Sequence, residues 1–411
     1  MQPSMKTLPV LLISALQFFS FSVFGQGSLT PPGPPSPTMK KLDEIEPRTN
    51  LQATPAPTGV DTGNADYQFI ITQPGSYYLS ANLVVTKTNG IQINAEGVTL
   101  DLNGFQVSRP TPSGIGIEIS AAGHRAVVRN GSVKGFLFGI AGNARAGAFQ
   151  DLAVSGCTQH GIITSTGAVL ESCRAHDNSG ITAIYAGQGS TLNNCTATGN
   201  TTSVAIAASA SCTLTKCAAF SNAAVWGISV YAGSTLTNCS ASYNTGSDPT
   251  SAGFNIGPGS TVAHCSAYSN NTTGAPTATT GIGFNVSDNS TILNCDAQLN
   301  RGDGIRAVYA CVIRENNCSL NGNGAGVHTT GGNNRIEGNN VTSNYRGIQV
   351  DGTGSLIIKN SASDNSSDYL IGASNRYGPV VDISAAGAPA VNGKSAADTT
   401  TTSHPWANFS Y

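Results

Sequence analysis

A short register, Asn-Cys-x-Ala, recurs about every 22 residues and limits what this chain can fold into more than any other feature. It reads Asn194-Cys195-Thr-Ala197, Lys216-Cys217-Ala-Ala219, Asn238-Cys239-Ser-Ala241, His264-Cys265-Ser-Ala267 and Asn294-Cys295-Asp-Ala297. It opens at Ser172-Cys173-Arg-Ala175 and continues to Asn317-Cys318-Ser-Leu320. With the same pair as anchor, Asn103-Gly104, Asn130-Gly131 and Asp151-Leu152 come before it, and Asn340-Val341 and Asn360-Ser361 come after. That makes twelve units spaced 20 to 30 residues apart, the mark of a stacked array. A length of 411 residues would otherwise suggest two or three globular domains, but an array grows by adding units around one continuous core.

Each unit holds several short β segments. A Gly-apolar pair precedes most anchors, as at Gly227-Ile228, Gly253-Phe254, Gly283-Phe284, Gly304-Ile305, Gly326-Val327 and Gly347-Ile348. Between the two lies a Ser-Thr-apolar segment, as at Ser234-Thr-Leu236 and Ser290-Thr-Ile292. The units are rich in Ser, Thr, Asn and Gly, which are poor helix formers, and they are short of Leu. Helical repeats and leucine-rich repeats are thereby disfavoured. The reading that remains is an all-β, right-handed parallel β-helix of about twelve coils.

Residues two apart in a strand face the same side, so Cys and Ala of the register point inward together. Stacking then places Cys173, Cys195, Cys217, Cys239, Cys265, Cys295 and Cys318 above one another as small core residues, mostly reduced. Zinc sites use closer pairs than Cys212 and Cys217, so no metal is expected. Asn tolerates the left-handed conformation of a sharp bend, and stacked amides bond along the axis. Asn103, Asn130, Asn194, Asn238, Asn294, Asn317, Asn340 and Asn360 are expected to form one such ladder. Asn178, Asn200, Asn222, Asn244, Asn270, Asn300 and Asn323 are expected to form a second row.

Only 10% of residues are charged and the net charge is −2, which argues against a nucleic-acid partner. Lys6, the apolar stretch from Leu8 to Phe24 and the small positions before Gln26 predict a cleaved signal peptide over residues 1–25. The mature chain is then secreted or periplasmic, with no stable membrane insertion. Residues 26–65 read as a Pro-rich linker, with Met39, Leu42 and Ile45 at the spacing of one short helix. The β-helix is expected over 66–372, and a C-terminal tail or cap over 373–411.

Gly75-Ser-Tyr-Tyr-Leu79, Gly97-Val-Thr-Leu-Asp-Leu-Asn-Gly-Phe105 and the coils above resemble secreted β-helix repeat proteins of the pectate-lyase-like superfamily. Asn375-Arg-Tyr-Gly378 and Trp406-Ala-Asn-Phe409 resemble the tails of uncharacterised bacterial members. The resemblance implies a polysaccharide or cell-surface glycan as partner. Its pectate lyases hold calcium in an acidic cluster beside an arginine, and because no clear acidic run appears here no cofactor is expected. The Asn-Thr-Asp, Asp-Asp, Gly-His-Gly and Arg-Ile-Lys motifs of its polygalacturonase-like members are absent, as is the Asp-Pro-His motif of its alginate epimerases.

From Asn178 to Val286 only Lys216 and Asp248 are charged, whereas eleven charged residues fall between Asp296 and Lys359. Any acid–base site is expected in those later coils. Alignment on the Gly-apolar pair stacks Arg306, His328 and Gln349 in one outward row that continues Asn255 and Asn285, with Asp303 and Arg346 flanking it. Asp303, Arg306, His328 and Arg346 are the candidate catalytic residues, because a carboxylate beside Arg and His supports β-elimination or glycosidic hydrolysis. Tyr185, Trp226, Tyr231 and Tyr309 are candidates for stacking on sugars. Three function classes fit. The leading one is a glycan-binding or surface-structural protein; the others are a polysaccharide lyase or hydrolase, and a trimeric spike-like module. Clustering of the four catalytic candidates favours the enzyme.

Overall fold

Three short strands and three corners make each coil, and the conformation of the corners explains the sequence period. The computed structural model describes residues 48–246, 248, 250–272, 280–382 and 404–411. The expected signal peptide and short helix lie outside them. In one representative coil, the strand Thr191–Asn193 leads through Asn194 and Cys195 to Thr196–Thr198. Gly199 and Asn200 turn the chain into the long strand Thr201–Ala208, and Ser211 and Cys212 close the coil. The first residue of each corner pair is left-handed: Asn194 has φ 54, Gly199 φ 64 and Ser211 φ 59. The second turns its side chain inward.

The two strands before the long face are three residues each in most coils and are fused into one eight-residue strand at Val127–Lys134 and Ala148–Ser155. They belong to a 28-stranded sheet, and the third builds a 15-stranded sheet, the long face. One strand of the long face, Val60–Asp61, is antiparallel, leaving fourteen stacked rungs from Tyr67–Ile71 to Tyr369–Ile371. The expected twelve coils gain one rung at each end, where the anchor pair is missing: Gly75–Tyr78 starts the array, and Arg376–Tyr377 with Asn408–Ser410 closes it. Part of the stretch expected as linker packs onto the first coil. Thr49–Asn50 pairs parallel with Tyr77 and Tyr78, and Leu51 is buried in the core.

Identical registers stack like upon like. Leu170, Leu192, Leu214 and Leu236 lie on one another, followed by Val262, Ile292 and Ile313. Ala175, Ala197, Ala219, Ala241, Ala267 and Ala297 form a second column. On the long face Phe254 and Phe284 stack with centroids 4.7 Å apart. Small and large residues together fill the narrow core of buried side chains. All ten cysteines are buried and unpaired. The thiols serve as small apolar fillers whose S–H meets a neighbouring carbonyl, as Cys212 Sγ does at Gly187 O, 3.2 Å away.

Two expectations about the columns are corrected. The Asn residues at left-handed positions, Asn103, Asn130, Asn194, Asn238 and Asn294, adopt the bend but are exposed and build no amide ladder. The ladder runs instead through the inward corner residues: Asn178, Asn200, Asn222, Asn244, Asn270, Asn300, Asn321, Asn344 and Asn365. Each amide accepts from the corner N–H of the coil before, so Asn321 holds the place expected for Asn323. Cys318 likewise leaves the Cys column and pairs with Ala297. The left-handed residue of that coil is Glu315 (φ 56), which turns Asn316 inward beneath Cys295 and lets its Oδ1 accept the Cys295 N–H at 2.9 Å. From there the column continues as Asn339, Asn360 and Asn408. The anchors at 317 and 340 therefore sit two residues late and that at 360 one. Asn317 and Asn340 lie outside that ladder, joined to each other where Asn340 Nδ2 donates to Asn317 Oδ1 at 3.1 Å.

Candidate functional site

The outward positions of the long face fall in register as the Gly-apolar alignment predicts. Asn255, Asn285, Arg306, His328 and Gln349 are consecutive partners across five strands. Asn285 Nδ2 donates to Asn255 Oδ1 at 3.0 Å, so the row starts as an amide pair and becomes charged at Arg306.

At His328 the row acquires acid–base character. Asp303, two residues before the strand that carries Arg306, is 2% exposed. Its Oδ1 accepts the Ala325 N–H at 2.7 Å, which fixes the carboxylate, and its Oδ2 lies 2.9 Å from His328 Nδ1. The other ring nitrogen, Nε2, lies 2.9 Å from Oδ2 of Asp351, a side chain about half open to solvent. Gln349 Nε2 donates to Asp351 Oδ1 at 2.8 Å, and Arg346 donates to Gln349 Oε1 at 2.7 Å. Arg346 also lies over the ring of Tyr345. One continuous chain therefore runs from buried Asp303 through His328 to exposed Asp351, and on through Gln349 to Arg346.

Local sequence makes this placement possible. Gly324 passes so close to Asp303 that a Cβ there would lie 2.4 Å from Asp303 Oδ1 and 2.5 Å from its backbone N. Burial by itself disfavours a charged imidazole. The hydrogen bonds and charges of Asp303 and Asp351 outweigh it and hold the His328 pKa above its ordinary value. Burial pushes the Asp351 pKa up, but Gln349, His328 and Arg346 together hold it below the usual carboxylate range. The pair of shifts favours an imidazolium–carboxylate pair whose Asp351 end opens to solvent.

Of the four catalytic candidates, Asp303 and His328 touch, Arg346 joins them through Gln349 and Asp351, and Arg306 is the row neighbour of His328 one strand away. Asp351 lies outside the four candidates, although it stands two residues after Gln349 and so faces the same side. The aromatic candidates do not converge. Tyr185 lies within the outward row many coils away, Trp226 is at the entering edge of the face, and Tyr231 and Tyr309 are exposed beyond its leaving edge. Trp226 Nε1 donates to Thr250 O at 3.2 Å, and the Tyr309 hydroxyl accepts from Asn333 at 2.5 Å. Among the described residues, no group of three or more His, Cys, Asp or Glu side chains is placed to hold a metal ion.

Fold and face together define a right-handed parallel β-helix with a polar row along its long sheet. The sequence matches the family model for the right handed beta helix region over residues 70–219 and 206–367, and the chain belongs to that family. Among solved structures, the A-module of the mannuronan C-5 epimerase AlgE6 of Azotobacter vinelandii aligns with a TM-score of 0.51 at 14% identity, covering 70% of this chain and 91% of that one. A surface adhesin of Streptococcus pneumoniae, PfbA, aligns at 10% identity with a TM-score of 0.32, covering 72% of this chain and 84% of that one. A search of curated proteins finds no match. At 14% identity the epimerase module shares the solenoid and says nothing about chemistry.

Proposed function

We propose that this chain is an exported polysaccharide-directed β-helix whose long face binds a glycan, and that His328 transfers a proton at a glycosidic linkage held there, as part of a lyase or hydrolase reaction. The observation that carries the reading is the Asp303–His328–Asp351 chain on an outward row. A buried carboxylate orienting an imidazole, whose other nitrogen faces a solvent-accessible group, is the arrangement from which a positioned acid or base acts. A substrate oxygen that displaces the Asp351 carboxylate from Nε2 would take its place as hydrogen-bond partner of the protonated ring. Arg306, next along the row, supplies a cation to an anionic group of the same sugar chain. The nearly uncharged coils before it offer amides, as at Asn255 and Asn285, suited to hydroxyl groups. The lyase-like members of the resembled superfamily and the predicted signal peptide agree with an extracellular glycan as the target.

The test is a panel of acidic and neutral polysaccharides scored for retention, for ultraviolet-absorbing unsaturated ends and for new reducing ends, with wild type, His328→Ala and Asp303→Asn. Turnover of at least one polymer, reduced about a hundredfold or more in His328→Ala, is expected. Retention without either product sinks the catalytic reading and leaves a binding protein.

A further inference from the structure

The edge where each middle strand turns toward the long face carries a second pattern, and none of its residues belongs to the His328 network. Every coil presents two outward positions there: the last residue of the middle strand and the left-handed residue after it. Five successive coils, Phe220-Ser221, Ser242-Tyr243, Tyr268-Ser269, Gln298-Leu299 and Ser319-Leu320, each place one bulky apolar side chain at one of the two. Backbone bonds such as Tyr243 N to Tyr268 O (3.0 Å) and Leu299 N to Ser319 O (3.1 Å) hold the column in register. The coils on either side, Thr198-Gly199 and Thr342-Ser343, carry none.

Two independent observations set this ridge apart from ordinary surface. Phe220 is 47% exposed, Tyr243 47%, Leu299 44% and Leu320 53%, so these side chains gain little from the core. Tyr243, Leu299 and Leu320 also sit at φ 56, 55 and 57, a strained backbone region for bulky side chains that neighbouring coils fill with Gly199, Ser221 or Asp364. Folding gains little from a strained, exposed Tyr or Leu beyond contacts along the column, and strain of this kind concentrates at binding sites. The rings also meet one another: Phe220 and Tyr243 are edge to face at 5.6 Å, and Tyr243 and Tyr268 at 5.4 Å.

We propose that this ridge binds an uncharged, linear polysaccharide lying along the solenoid axis. None of the ten positions is charged, so nothing selects an anionic polymer. Apolar side chains alternate with Ser and Gln, matching a sugar chain that shows C–H faces between hydroxyl groups. Five coils at ~4.8 Å span about 19 Å, and two strand residues about 7 Å, a strip on the order of 150 Å² in projection. A stable pairing with a second copy of this chain needs about 800 Å² on each partner, far more than the strip supplies. The backbone here is already paired to the coils above and below, so an extended peptide would find no partners for its N–H and C=O groups. A narrow polymer carrying its own hydroxyls meets neither obstacle. The site shares a ligand class with the proposed function but none of its residues.

Affinity electrophoresis of the full chain through gels containing a neutral linear glucan, a neutral mannan or polygalacturonate tests the assignment. Tyr243→Ser/Tyr268→Ser installs the residue that neighbouring coils carry, and it should leave the solenoid folded, with an unchanged far-ultraviolet circular dichroism spectrum. Retardation by a neutral polymer, weakened at least tenfold in that double variant, is the expected result. Equal retardation of variant and wild type overturns the proposal, as does the absence of retardation by either neutral polymer. A wild-type dimer in light scattering that the double variant dissolves would assign the ridge to self-association and overturn it equally.

Discussion

Oδ2 of Asp303 lies 2.9 Å from Nδ1 of His328, reaching the ring from the preceding coil, while Asp351 meets the opposite nitrogen from the following one. Three coils are thus tied through a single imidazole, and stability must follow its protonation. The folded pKa of His328 is raised above its unfolded value, so its contribution is complete below about pH 6.5 and fades as pH climbs through the native pKa. Asp351 behaves in the opposite sense. Its native pKa is lowered, and its contribution is lost as pH falls through that value. Between the two limits the network stabilises most. The urea-unfolding deficit of His328→Asn relative to wild type should therefore be larger at pH 5.5 than at pH 9. Equal deficits at the two values would show that the ring is not charged in the folded protein.

Asn222 is fully buried, and its amide is completely used. Its Nδ2 donates to Ala197 O at 3.0 Å and to Asn244 Oδ1 at 2.9 Å, and its Oδ1 accepts from Asn200. Asn222→Leu leaves several buried groups of neighbouring coils without partners, each costing about 1–3 kcal/mol. A loss of at least ~3 kcal/mol in chemical denaturation is expected. Asn194→Leu provides the contrast, because that Asn is exposed at its left-handed bend and makes one side-chain bond, to Ser172. Its loss should be limited to the strain of a non-Asn residue there, about 1 kcal/mol. Comparable losses for the two would refute the division between bend residues and ladder residues.

How much of this could be read from the chain depends on whether an element repeats. The inward pairing of Cys239 with Ala241 follows from strand period alone, and so does the outward row of Arg306, His328 and Gln349. Cys318 shows the limit. Its Asn-Cys dipeptide copies the register, yet what sets the column is which residue takes the left-handed bend, and Glu315 is a poor signal for that conformation. Asp303 contacts His328 across coils, a distance no periodicity fixes, and its burial depends on the absent Cβ of Gly324. The Phe220–Leu320 ridge escaped notice because its apolar residues alternate between two adjacent positions, which breaks any single-column pattern.

Thr329 occupies the inward column below Ala307 and above Val350, fully buried, and its hydroxyl meets no partner among the described residues. A buried hydroxyl without a hydrogen bond is a net penalty, and Val has nearly the same shape. Thr329→Val should therefore raise stability by about 1 kcal/mol in thermal or urea unfolding while leaving glycan retention as it was. A destabilised variant would mean that the hydroxyl is satisfied in solution.

Gly324 gives the sharpest separation of site from scaffold. A Cβ at this position would lie 2.4 Å from Asp303 Oδ1, 2.5 Å from Asp303 N and 2.7 Å from Gly302 C. Two of the three obstructing atoms are backbone and cannot swing aside, so the Asp303 turn itself has to move. The coils on either side are held by their own ladders, Asn300 to Asn321 and Asn321 to Asn344, which leaves the displacement nowhere to spread. Gly324→Ala should then break the Asp303–His328 contact while the solenoid persists. The His328 pKa, followed by NMR of the imidazole, should fall toward the value of an exposed histidine, because one of its two carboxylates is withdrawn. Far-ultraviolet circular dichroism should be unchanged and activity on any polymer found to be cleaved should drop with the pKa. An unchanged His328 pKa in this variant would show that the orienting carboxylate is not held by the close passage of Gly324.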